Sequence, residues 1–186
     1  SDITITLVDN KIEVHSKKTE PWKVTLIDTG ENTMTGGRLA RIKDFLNDNE
    51  PFFFTYGDGL SDINLNKLLN HHYKEGRMAT LSAVKPPGRF GAISLENNRV
   101  LKFQEKPEGD KAWINGGFFV LDPKVINLIK DDNCIWEQEP LEKLASKNQL
   151  SAYKHKGFWQ PMDTLRDKNK LNEMWQNDNA PWKKWN

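Results

Sequence analysis

Phe52-Phe53-Phe54-Thr55-Tyr56-Gly57-Asp58-Gly59-Leu60-Ser61-Asp62 is the stretch on which the reading of this chain turns. The aromatic run after Pro51 predicts a strand buried on both faces. It leads into a carboxylate with a glycine on each side. In open α/β sheets ligands gather at the carboxyl ends of buried strands, which is where Asp58 would sit. Gly57 and Gly59 remove side-chain bulk, so a large anionic ligand can approach the backbone, and they permit a tight turn. A carboxylate there suits Mg²⁺, which takes one or two protein carboxylates and completes its shell with waters and phosphate oxygens. A turn aspartate capping a loop fits the same residues equally well.

Upstream, Ile3, Ile5 and Leu7 alternate with polar residues, and Ile12 and Val14 resume the alternation after Asp9-Asn10-Lys11, which predicts a hairpin. Val24-Thr25-Leu26-Ile27 reads as a further strand. Thr33-Met34-Thr35-Gly36-Gly37-Arg38-Leu39 follows, with Thr35 as the expected N-cap of a helix carrying Leu39, Ile42, Phe45 and Leu46. Two glycines at a helix start beside an arginine form a candidate anion cradle; a capped helix with a solvated Arg38 is the plainer alternative.

Downstream, Asn64 is expected to cap a helix closed by Gly76, with His71 and His72 on its surface or rim. The next strand, 79–84, completes a βαβ unit. Pro86-Pro87-Gly88-Arg89-Phe90-Gly91 is a stiff loop before a hairpin that ends in Phe103-Gln104-Glu105-Lys106-Pro107. Pro107 stops that strand, so Glu105 and Lys106 sit at its tip with opposite facing, either toward a sugar hydroxyl and a phosphate or as a surface ion pair. Ile114-Asn115-Gly116-Gly117-Phe118-Phe119-Val120 is a second buried strand whose entry, at Asn115 and Gly116, is a candidate hydroxyl-reading site or a turn. A helix opens at Trp136-Glu137-Gln138-Glu139-Pro140-Leu141, and a strand covers 150–153. Phe158-Trp159-Gln160-Pro161-Met162-Asp163-Thr164 then delivers a lone carboxylate before the last helix. Asp163 is a candidate N-cap; beside Asp58 it would complete a two-carboxylate metal site.

The 186 residues, 1–186, suit a single domain with a sizeable core. A net charge of +1 gives no electrostatic case for nucleic acid or an anionic membrane. Cys134 is the single cysteine, so no internal disulfide can form and a reducing compartment is expected. No window reaches the apolar length of a membrane span, and the first residues carry no secretory pattern. A cytoplasmic location follows as an expectation.

Taken in order, the segments at 33–39, 55–59, 86–91, 103–107, 114–120, 136–141 and 158–164 resemble the sugar nucleotidyltransferase family along essentially the whole chain. The segments at 136–141 and 158–164 look like its cytidylyl branch. The resemblance implies an α/β fold with a Rossmann-like core and a mixed sheet. The implied reaction joins CTP and α-D-glucose 1-phosphate to give CDP-glucose and pyrophosphate, Mg²⁺-dependent, feeding dideoxysugars of lipopolysaccharide O-antigen, in a homo-oligomer, commonly a hexamer. On this resemblance Asp58 and Asp163 hold the metal, Lys106 neutralises the sugar phosphate, and Glu105, Asn115 and Gly116 read glucose hydroxyls. Gly57 admits the nucleotide, Thr33 and Arg38 bind phosphate or base, within the subunit or across a subunit interface, and Glu137 joins the substrate-binding set. The family opens with a loop of the type Gly-Gly-x-Gly-Thr-Arg-Leu, which does not occur in this sequence. The chain is therefore expected to be the C-terminal part of the catalytic domain, missing its first βαβ portion, with apolar faces left exposed.

Other readings of the same residues are a thymidylyl- or uridylyl-transferring relative, or a non-catalytic sugar-phosphate-binding or assembly module. A metal-dependent glycosyltransferase fits less well, because Asp58 is followed by Gly59 and Leu60 rather than by a second aspartate two positions on.

Overall fold

The structure, a computed structural model, describes residues 3–15, 22–86, 92–96, 99–104 and 113–185. The chain begins with a hairpin of β1 (Ile3–Thr6) and β2 (Lys11–Val14), continues through α1 (Thr35–Arg41) and reaches β3 (Phe52–Thr55), β4 (Gly59–Ser61), α2 (Leu65–Glu75) and β5 (Ala79–Val84). A hairpin of β6 (Ala92–Glu96) and β7 (Arg99–Gln104) precedes β8 (Ile114–Leu121), α3 (Glu139–Ser146), β9 (Leu150–Lys154), β10 (Trp159–Pro161) and α4 (Leu165–Gln176). The expected α/β class with a mixed sheet is what is found.

The central sheet has four strands in the order β3-β8-β5-β9. β8 runs antiparallel to both β3 and β5, while β5 and β9 are parallel. The β3-α2-β5 crossover therefore joins two parallel strands with β8 inserted between them. β5 reads Ala-Thr-Leu-Ser-Ala-Val and is buried on both faces, Ala79 joining the core cluster and Thr80 meeting His72 of α2. The Phe52–Phe54 strand departs from expectation. Among the described residues it pairs with β8 alone, and Phe53 is 46% exposed. The core lies over the sheet, where Phe119, Leu121, Leu39, Leu141, Leu144 and the fully buried Trp136 meet.

Residues 22–30 form no strand, contrary to the alternation at 24–27. A strand needs a pairing edge, and no described strand pairs with this segment; Leu26 is 91% exposed. Ile3, Ile5, Ile12 and Val14 of the first hairpin are likewise exposed, although their alternation with polar residues reads as a half-buried strand. Asn64 caps α2 by accepting from the Lys67 backbone N–H at 2.9 Å, and Gly76 closes it in the left-handed region, both as expected. The residue before the last helix does not behave as foreseen. Thr164, not Asp163, is the N-cap of α4, because Thr164 and Asp167 bond each other's backbone N–H in a capping box.

His72 is buried, 5% exposed, rather than at the surface. It falls four residues after the fully buried Leu68 and so shares its helix face. Its Nδ1 lies 2.9 Å from Thr80 Oγ1, which in turn lies 2.6 Å from Ser151 Oγ. Burial holds the imidazole below its ordinary range, with a smaller contribution from His71, while Asp122 opposes both. The folded protein thus binds the proton less readily than the unfolded chain, so stability is full above the unfolded value of about 6.5 and declines as pH falls through the folded one. The urea midpoint is expected to drop between about pH 7.5 and pH 5.5, and His72→Asn should flatten that slope; a slope identical in the variant would assign the acid sensitivity elsewhere.

Candidate active site

β3 ends at Thr55, and Tyr56-Gly57-Asp58 turns the chain into β4. β4 pairs antiparallel with β10, Gly59 opposite Pro161, and the Met162 N–H donates to the Asp58 carbonyl at 2.7 Å. Asp58 and Asp163 therefore leave the same end of one two-stranded ladder, brought there from 105 residues apart in sequence (163 minus 58). Both are exposed.

A cleft of about 530 Å³ opens at this turn, lined by Thr35, Tyr56, Gly57, Asp58 and Glu137. Glu137 comes from the turn before α3. One of its oxygens accepts from Thr35 Oγ1 at 2.8 Å and the other from the Tyr56 hydroxyl. Asn115 Nδ2 donates to the same Tyr56 hydroxyl at 3.3 Å, and Asn115 Oδ1 accepts from the Gly117 N–H at 2.9 Å. Burial, then the bond to Glu137, raises the Tyr56 phenol well above its ordinary range, so it remains a protonated donor.

Asn115-Gly116-Gly117 is not the turn entering β8 that its composition suggests. It lies within β8 at a bulge: from the Leu81↔Phe119 pair to the Ala83↔Asn115 pair, β5 spends one residue and β8 three. The Ser82 hydroxyl fills the gap in the ladder by accepting from the Phe118 N–H at 3.2 Å. Such a bulge re-aims a side chain, here Asn115 toward Tyr56. Gly116 is required by packing, since a Cβ there would stand 2.7 Å from both Ser82 Oγ and Val84 Cγ1. Its carbonyl accepts from Trp159 Nε1 at 2.8 Å, which ties β10 to β8.

The Gly36-Gly37 pair is a packing joint rather than an anion cradle. The N–H groups of both residues donate to the Cys134 carbonyl, at 2.9 and 3.3 Å, and Met34 N–H donates to the Asp132 carbonyl at 2.8 Å. Thr35 is no N-cap, because its hydroxyl serves Glu137 and accepts from the Trp136 N–H at 3.0 Å; the helix is capped by Met34 without a side-chain bond. A Cβ at Gly36 would meet the Cys134 carbonyl oxygen at 2.7 Å. Gly36→Ala is expected to destabilise the fold by about 1–3 kcal/mol through overpacking, read as a lower urea midpoint. A variant of unchanged stability would contradict the joint.

Of the residues singled out from the sequence, Gly57, Asp58 and Glu137 line the cleft, Asn115 reaches it through Tyr56, and Asp163 arrives through the β4·β10 ladder. Thr33 is buried, and Arg38 donates to Thr29 Oγ1 at 2.7 Å and to the Glu31 carbonyl at 3.1 Å; neither lines the cleft. Glu105 and Lys106, like the loop at 87–91, lie outside the described residues. Sequence reasoning missed Thr35 and Tyr56 as site residues, although each sits inside a segment it quoted.

The donor chemistry fits a hard divalent ion. Asp58 and Asp163 are two carboxylates at adjacent strand ends, the number Mg²⁺ takes from protein when phosphate oxygens supply the rest. Among the described residues the cleft lining adds a third carboxylate, Glu137, and no cation. Among the described residues no group of three or more His, Cys, Asp or Glu is arranged to hold a metal by protein ligands alone.

A mixed α/β sheet with a carboxylate turn at a strand end is an arrangement in which α/β proteins place ligand sites. Residues 3–175 match the Nucleotidyl transferase family, and the chain belongs to that family. It is 54% identical over 185 residues to the glucose-1-phosphate cytidylyltransferase of Salmonella typhi, an alignment spanning 100% of this chain and 72% of the relative; the cytidylyltransferase of Salmonella typhimurium matches to the same extent. In fold the chain is similar to HddC from Yersinia pseudotuberculosis, with a TM-score of 0.58 and 20% identity over 78% of this chain and 64% of that one. No helix among the described residues is long and apolar enough to cross a membrane.

Proposed function

We propose that this chain carries the metal-binding and sugar-reading parts of an enzyme that transfers a cytidylyl group from CTP to α-D-glucose 1-phosphate, releasing pyrophosphate. The observation that supports it most is the 54% identity, along the full chain, to a glucose-1-phosphate cytidylyltransferase. An oxygen of the sugar phosphate attacks the α-phosphorus of CTP, a P–O bond forms there, and the bond to the pyrophosphate leaving group breaks in line. Such a transfer asks the protein for positioning and charge neutralisation rather than for a nucleophile.

Asp58 and Asp163 would hold Mg²⁺, which when bound neutralises the phosphates and orients them for attack. Gly57 leaves room for the nucleotide beside the turn. Lys106 would neutralise the sugar phosphate, and Glu105 and Asn115 would face the glucose hydroxyls, while Gly116, buried against Ser82 and Val84, holds β8 in place. Glu137 would form a wall of the substrate cleft, and Arg38 would bind phosphate or base across a subunit interface; burial leaves Thr33 no such contact. The enzyme is proposed to work in the cytoplasm as a homo-oligomer, a hexamer, supplying CDP-glucose for dideoxysugars of lipopolysaccharide O-antigen.

The test is pyrophosphate release from CTP and glucose 1-phosphate with Mg²⁺, beside UTP, dTTP and GTP at equal concentration. Release with CTP at least about tenfold faster than with the other nucleotides is expected, since a hydrogen-bonding site rejects a base lacking its partner groups. Preference for another nucleotide would replace the cytidylyl assignment. Binding of glucose 1-phosphate with no release for any nucleotide, both by this chain and by a form extended upstream to include the family's Gly-rich loop, would mark a binding module.

A further inference from the structure

Within that reading of the cleft, one side chain holds the polar groups in place, and it is Tyr56. Its hydroxyl is the single atom that connects Asn115 on β8 with Glu137 on the turn before α3: it accepts from Asn115 Nδ2 and donates to Glu137. The Asn115 amide is thereby fixed at both ends, Nδ2 by Tyr56 and Oδ1 by the Gly117 N–H, so it cannot rotate to exchange donor for acceptor. Glu137 is fixed at both oxygens as well, by Tyr56 and by Thr35.

The ring itself has little freedom. Gly117, at φ +76°, lets it approach so closely that a Cβ there would stand 2.7 Å from Tyr56 Cδ2. Edge-on contacts with Phe54 and Phe119, at centroid distances of 5.9 and 5.8 Å, hold the other sides. Tyr56 N–H also bonds the Gly117 carbonyl at 3.3 Å, so ring and backbone are seated on the same bulge.

We propose that Tyr56 is a positioning residue that sets hexose selectivity: it presents the Asn115 amide and the Glu137 carboxylate in one fixed donor–acceptor pattern that matches one arrangement of sugar hydroxyls. Each fixed group retains one face of hydrogen-bonding capacity for a ligand, a second N–H on Asn115 and a free lone pair on each Glu137 oxygen. A hydroxyl epimer leaves such groups unpaired, and a buried unpaired polar group is what makes discrimination steep.

The test compares glucose 1-phosphate with its 4-epimer, galactose 1-phosphate, in the wild type and in Tyr56→Phe, which keeps the ring and removes the hydroxyl. The ratio of kcat/KM for the two sugars is expected to fall by about tenfold or more, with KM for glucose 1-phosphate raised and KM for CTP within about twofold of the wild type. In the Tyr56→Phe, Glu137→Gln double variant the losses should be well short of additive, because both changes break one unit. Tyr56→Met, also without a hydroxyl, should show the same fall in the ratio, and it decides the matter should the phenylalanine variant fold poorly. An unchanged epimer ratio in a folded hydroxyl-free variant overturns the proposal. A wild type, in a form extended upstream to include the family's Gly-rich loop, that binds both hexose 1-phosphates by calorimetric titration but releases no pyrophosphate overturns the cytidylyl-transfer reading instead, and the epimer ratio of Kd values then decides on Tyr56.

Discussion

Asp58→Asn is expected to lower kcat for pyrophosphate release by about a thousandfold or more, with thermal unfolding unchanged to within about 0.5 kcal/mol of stability. The substitution keeps the size of the side chain and removes only its negative charge. Asp58 is exposed at a turn whose backbone is fixed independently, by the Met162 N–H bond to its carbonyl, so folding does not depend on the carboxylate. The charge matters because an amide oxygen is a weak ligand for a divalent ion that must also hold phosphates. Asp163→Asn should act in the same direction, and both variants should shift the Mg²⁺ concentration for half-maximal rate upward. The measurement is the rate over a Mg²⁺ series with circular dichroism melts in parallel. A rate near that of the wild type at saturating Mg²⁺ in either variant would remove that residue from the metal site.

The second large effect is on stability. Trp136 is 0% exposed and packs against Phe54 and Phe119, with ring centroids 6.4 and 6.2 Å away and edge-on geometry. Removing a fully buried indole loses its transfer free energy and leaves a cavity that the rigid sheet closes only in part. Trp136→Ala should therefore cost about 3–5 kcal/mol. In a chain of this size that corresponds to a fall in Tm of roughly 10 °C. Trp136→Phe should cost much less, because the ring contacts survive and the substitution also deletes Nε1, a buried donor without a partner among the described residues. The neighbouring residue is Glu137, and the Trp136 N–H donates to Thr35 Oγ1, so the alanine variant should also loosen the cleft wall. A chemical denaturation series measures the first effect; an alanine variant as stable as the phenylalanine one would show that the core tolerates the cavity.

The family's chemistry also needs residues that come from far apart, and here the chain's local signals and its tertiary structure contributed differently. The α/β class, the strands at 79–84, 114–121 and 150–154, and the caps of α2 are set by local rules: apolar runs, an asparagine before a helix, a glycine after it. Those rules act over a few residues, so they are visible in sequence. The ordered series of motifs likewise carries the family's pattern in sequence alone, and two of its aspartates, Asp58 and Asp163, are brought to one end of the β4·β10 ladder.

What the sequence by itself could not decide was which neighbour satisfies each group. Gly36 and Gly37 look like a phosphate cradle until the Cys134 carbonyl is seen to occupy their N–H groups, a contact about a hundred residues away. Asn115-Gly116-Gly117 looks like a turn until strand pairing makes it a bulge in β8. Phe52–Thr55 reads as an interior strand because its residues are apolar, yet among the described residues only β8 flanks it. His72 reads as a surface residue by its polarity, and helix phase beside Leu68 buries it. Tyr56 and Thr35 gain their roles only when α1, β3, β8 and the turn at Glu137 converge on one cleft. Local propensity determined which elements form. Pairing and packing between elements, which depend on hydrogen-bond satisfaction and close contact across long sequence separations, determined what each residue at the site is able to do.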